Sequence, residues 1–81
     1  MPVERIKHRI DENGTQRWYL NGELHREDGP AIIWANGSKH WYKNGKCHRK
    51  DGPAVIHPDG SLEWYKNGKH QASYSPDTDY S

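Results

Sequence analysis

Phenylalanine is absent from this 81-residue chain, cysteine occurs once, and hydrophobic residues make up only 31% of it. Each shortage excludes something. A lone Cys47 rules out an internal disulfide, which fits a reducing compartment. No apolar run approaches the roughly 20 residues that span a bilayer. Charges interrupt residues 1–10 throughout, so no secretory leader is expected. A formal charge of +1 selects no partner by bulk electrostatics. The expectation is a soluble, cytoplasmic chain without a membrane partner. Sparse hydrophobicity also suits disorder, yet four Trp and five Tyr in strict order argue for a fold. The length allows one small domain with a modest core. Residues 1–70 read as that domain, and 71–81, QASYSPDTDYS, as a polar, flexible tail.

What is present is repetition. The stretch from Trp18 to Ile33 recurs from Trp41 to Ile56, differing only at 20/43, 23/46, 24/47, 27/50 and 32/55. A third copy starts at Trp64 as WYKNGKH and then stops, so Trp-Tyr recurs every 23 residues. Asn-Gly follows each pair at 21–22, 44–45 and 67–68, the strongest short hairpin signal. Second turns lie midway, at 11–14, 34–37 and 57–60. There Pro58 and Asp59 suit the central turn positions, and Gly60 a left-handed bulge. That register sets Ile56 opposite Leu62 and Val55 opposite Glu63. It puts Ala31, Ile33, Trp41, Ala54, Ile56, Leu62 and Trp64 on one face. Asn13 and Asn36 open glycosylation sequons, but without a leader they are turn residues.

Between hairpins lie HREDGPA (25–31) and HRKDGPA (48–54). Proline has no ladder donor, so Pro30 and Pro53 predict a kink. The expected result is one long kinked strand per unit, its first half pairing backwards and its second forwards. Gly22, Gly45 and Gly68 are structural turn residues. Gly29 and Gly52 are expected in conformations that a β-carbon opposes. The fold class predicted is all-β: a single twisted, curved antiparallel meander of two and a half to three hairpin units. No stretch sustains a helical period.

This arithmetic resembles the MORN repeat, a 23-residue β-hairpin unit that stacks into an elongated sheet. The resemblance covers about residues 3–70 and rests on the period, the WYxNG turn and the midpoint NG or DG. MORN joints usually carry Gly-x-Gly. The HRxDGPA joint here instead looks like repeats of tailed-phage and bacterial proteins, so the lipid binding proposed for some MORN proteins does not carry over.

His25-Arg26-x-Asp28 and His48-Arg49-x-Asp51 offer bases and orienters, but a catalytic cluster is single and this motif is duplicated. The register places each histidine against an indole and leaves each aspartate to cap its own turn. The histidines are scattered, and no Cys-x-x-Cys occurs. The chain is therefore expected to be no enzyme, with no metal and no cofactor.

Aromatics carry the functional signal, because Trp, Tyr and Arg concentrate at interface hot spots. The candidate protein-binding residues are Trp34, Trp41, Tyr42, Lys43, Arg49 and Tyr65. The expected activity is non-enzymatic protein binding. The resemblance to phage repeats implies a small inhibitor of a bacterial host enzyme or defence system, of the anti-CRISPR kind, with a host protein or complex as partner. An open last strand would equally suit a homodimer. The alternative is single-stranded RNA, with strand aromatics stacking bases and the acid-free run Lys39, Lys43, Lys46, Arg49, Lys50 tracking phosphates.

Overall fold

A computed structural model describes residues 6–76 and contains only strands and turns among them. The strands are β1 (Ile6–Ile10), β2 (Gln16–Leu20), β3 (Glu23–Leu24), β4 (Ile32–Ile33) and β5 (Lys39–His40). They continue as β6 (Tyr42–Lys43), β7 (Lys46–Cys47), β8 (Val55–Ile56), β9 (Leu62–Lys66) and β10 (Lys69–Tyr74). All pairings are antiparallel, in the order β1-β2-β4-β5-β8-β9-β10 with β3 also on β2. The ribbon β6–β7 joins this sheet through Arg26 N–H to Tyr42 O, 3.2 Å, and Gly45 N–H to Leu24 O, 2.9 Å.

Local chemistry explains the reversals. Asn21, Asn44 and Asn67 have φ of 53°, 52° and 51°, each followed by a positive-φ glycine. Two left-handed residues in succession make the type I′ turn, whose twist matches the strands it joins. In the midpoint loops Gly14, Gly37 and Gly60 take φ of 93°, 96° and 93°. Asn13, Asn36 and Asp59 each accept the N–H two residues on, at 3.0, 2.9 and 2.9 Å. The caps therefore sit at these loops. Asp28, expected to cap its own turn, instead accepts from Arg26 Nε at 3.1 Å.

The joints differ from a kinked strand. Trp18 O accepts from His25 N–H at 3.0 Å, while Trp18 N–H donates to Ala31 O at 2.8 Å. One residue thus spans the whole joint, and residues 26–30 loop out of the ladder. Trp41 does the same between His48 (3.0 Å) and Ala54 (2.7 Å). Strands on either side of the loop both pair backwards onto β2, and both also pair forwards. Asp-Gly-Pro cannot supply ladder geometry or the proline donor, so the chain expels it. Arg26 Nη1 and Arg49 Nη1 close the loops by donating to Pro30 O (3.2 Å) and Pro53 O (3.1 Å).

Gly29 and Gly52 are corrected in the same way. Neither has positive φ. What opposes a β-carbon is the arginine: Arg26 Cζ and Arg49 Cζ would lie 3.1 Å from it.

The described molecule measures 56 × 29 × 16 Å, long and thin. Among the described residues, only Ala31, Ile32, Ala54 and Val55 form the buried apolar core. Registers place Ile10, Gln16, Ile33, Lys39, Ile56, Leu62 and Tyr74 in one cross-strand row. The Trp18, Trp41 and Trp64 positions share its face. The opposite face holds the row Arg17, Ile32, His40, Val55 and Glu63. Residues 71–74, assigned to a tail by composition, extend β10 opposite Leu62–Trp64; residues 77–81 of that tail lie outside the described residues. No helix among the described residues is long and apolar enough to cross a membrane.

Candidate functional site

The surface is built from indoles and the loops that cover them. Arg26 Cζ lies 3.9 Å from the Trp18 ring centroid, and Arg49 Cζ lies 4.0 Å from that of Trp41. His8 stacks on Trp18 at 4.2 Å and 11°. A guanidinium over an indole contributes about 0.5–2 kcal/mol, considerable beside a core of four small and medium side chains. Arginine thus takes the place expected for His25 and His48.

The histidines do something else. His25, 3% exposed, accepts Asn44 N–H through Nδ1 at 3.0 Å. That leaves Nε2 protonated to donate to Glu27 Oε2 at 2.6 Å. His48 Nδ1 accepts Asn67 N–H, also at 3.0 Å. Each imidazole therefore ties its own hairpin to the next Asn-Gly turn. A ring nitrogen that meets a turn amide satisfies both groups with one hydrogen bond, worth about 0.5–1.5 kcal/mol.

Between the two expelled loops lies a cleft of about 610 Å³. Trp41 and Lys43 line it, with Glu27 and Asp28 from one loop and Arg49 and Asp51 from the next. Lys43 Nζ is 3.7 Å from Glu27 Oε1. The His25 hydrogen bond and Lys43 together hold the Glu27 carboxyl below its ordinary value. Three of the six candidate binding residues, Trp41, Lys43 and Arg49, thus meet in one place.

The other three lie on the opposite face. Trp34 meets His40 edge-on at 5.8 Å, and His40 stacks against Tyr42 at 6.5 Å. Arg17, paired with Asp11, lies 5.4 Å from the Trp34 centroid. Among the described residues, Trp34 Nε1 is buried without a hydrogen-bond partner. Tyr65 donates to Glu63 Oε1 at 3.2 Å, and Glu63 Oε2 bonds His57 Nε2 at 2.8 Å. Burial, then the Glu63 charge, pushes the Cys47 thiol up to about 11. Burial likewise raises Tyr42 and lowers His40. These rings are committed to contacts within their own face. Among the described residues no group of three or more His, Cys, Asp or Glu side chains converges to hold a metal ion.

Sequence reasoning passed over Arg26 and the histidine ties. The signal for Arg26 was available, because Trp18–Arg26 and Trp41–Arg49 share one spacing. The ties bridge 19 residues, and nothing local announces them. No protein family, curated protein or solved structure matches the chain.

Proposed function

We propose that the chain is a non-enzymatic protein-binding module, a meander of MORN-like hairpin units that docks a partner on its indole-bearing face. The observation that carries this is the row Ile10–Ile33–Ile56–Leu62–Tyr74. Ile10 and Tyr74 at its ends are 65% and 53% exposed, and the described sheet has no second layer over it. Ile56, Leu62 and Tyr74 are adjacent in that row, and Gln16 and Lys39 flank Ile33; beside Trp41, Lys43 and Arg49 they combine the apolar anchors and arginine that interfaces favour. Following the resemblance, the partner is a bacterial host protein met in the cytoplasm, and binding inhibits it by occupying a surface.

A nuclease-treated pull-down from bacterial lysate tests the reading. Retention of one protein by the wild type and its loss in Ile33→Lys, with Tyr42→Ala/Tyr65→Ala unaffected, is the expected pattern. Equal retention by the wild type and both folded variants would remove the indole face from consideration. Release of the catch by nuclease would favour the RNA reading.

A further inference from the structure

Trp18 and Trp41 each lie under an arginine eight residues on, and the same step from Trp64 reaches Ala72. Ala72 sits directly opposite Trp64, past an irregularity between His70 and Ala72, and β10 runs on as a strand where the earlier units expel a loop. The third indole therefore has no guanidinium over it from its own unit. A depression of about 340 Å³ marks the place, lined by Trp64, Tyr65, Ala72, Arg49, Lys50 and Lys66.

Charge decides what fits there. Lys50 occupies the position that Glu27 holds one unit earlier, and among the described residues no carboxylate lines the depression. Lys66 also faces Lys69 across the β9–β10 ladder, a like-charged pair that is unfavourable where it stands. An incoming guanidinium would meet three cations, whereas Arg26 has Asp28 beside it. An anionic occupant relieves all of these.

A second copy of the chain is the wrong occupant. Both edge strands, IKHRI of β1 and KHQASY of β10, carry Lys and His or Arg and no acid, so edge pairing juxtaposes like charges. A nucleic-acid strand fits less well than a short peptide. Continuing along the sheet, it would run onto Glu27, Asp28 and Asp51 interleaved with Arg26 and Lys43 around Trp41, a mixed surface that a uniformly anionic strand matches less well than a short segment does.

We infer that the Trp64 depression is a subsite for a short acidic segment of a protein partner. Its carboxylates are held by Arg49, Lys50 and Lys66, and an apolar side chain lies on the indole that Ala72 leaves open. This rests on the protein-binding reading above and names the chemistry of the partner.

The test is a titration of the full chain with the capped peptide Asp-Glu-Leu-Glu-Asp, followed by the four indole N–H resonances. The neutral analogue Asn-Gln-Leu-Gln-Asn and hexauridine serve as controls. The expected result is a saturable shift of the Trp64 indole with the acidic peptide only, Trp18 staying fixed. Lys50→Glu, which restores the first unit's residue, should weaken binding about tenfold or more. Ala72→Glu, which tethers an anion over the indole, should block the peptide. Should Ala72→Glu fail to fold, Lys50→Glu decides alone. An unmoved Trp64 indole, undiminished binding by Lys50→Glu, or a response to hexauridine but not to the peptide would overturn the inference. A lysate partner still captured through the Ile33 face with Trp64 unmoved would do so while leaving the protein-binding reading intact.

Discussion

At the scale of single residues, two titrating groups make the opposite face measurable. His40 is held below the usual 6.5 by burial first and by repulsion from His57 second, with Glu63 pulling the other way. The folded state then binds the proton less readily than the unfolded chain. Stability is full above 6.5 and is lost as pH falls below it. We predict a melting temperature that drops as pH falls below 6.5, and a flatter profile in His40→Gln. Glu63 and Glu27 are held below 4.5 mainly by hydrogen bonds from His57 and His25. Their contribution, present above 4.5, is lost only as pH falls through the lowered values, so the two effects separate. Cys47 gives a second readout. A thiol moved from 9.0 to about 11 holds roughly a hundredfold less thiolate at pH 8, so alkylation should be slow in the folded chain and should accelerate on unfolding. Equal rates in both states would contradict the burial of that sulfur. Neither shift is readable from sequence, because both depend on neighbours set by cross-strand pairing.

At the scale of elements, turns and joints fail for different reasons, and substitutions can separate them. Gly45 sits at φ 79°, so Gly45→Val forces a branched side chain into the left-handed region at a cost of about 1–2 kcal/mol. Gly52 has no such constraint; its β-carbon would press on the Arg49 guanidinium. Gly52→Val is expected to cost about 1–2 kcal/mol by lifting Arg49 off Trp41. The penalty should largely vanish in an Arg49→Ala background, because the obstructing side chain is then gone. A full penalty in both backgrounds would mean that the backbone of the loop is the cause. Sequence located all six turns, since each rests on a glycine beside Asn or Asp within the turn itself. It misjudged the joints, because expulsion of residues 26–30 is decided by what the neighbouring strands can bond.

At the scale of the molecule, a thin sheet with one ring-committed face and one open face predicts one-sided behaviour. Ile33→Lys and Ile56→Lys should leave stability within about 1 kcal/mol, because both side chains are only partly covered, yet abolish partner capture. A large drop in melting temperature instead would show that this face is core. Capture that depends on the acidic subsite should also weaken as salt rises from 50 to 500 mM, while an apolar contact should not.

Composition and spacing alone determined the turn positions, the type I′ turns and the register within each hairpin, because each follows from neighbours a few residues apart. The Trp18–Arg26 spacing was equally local and went unread. Tertiary structure decided the rest. It split the candidate residues Trp41, Lys43 and Arg49 from Trp34, Tyr42 and Tyr65, turned His25 and His48 toward the next hairpin, and left Trp64 beside Ala72 among cations. Those outcomes depend on which strands stand side by side after expelled loops are removed. Contacts over 19 residues and more are energetic choices that local pattern does not encode.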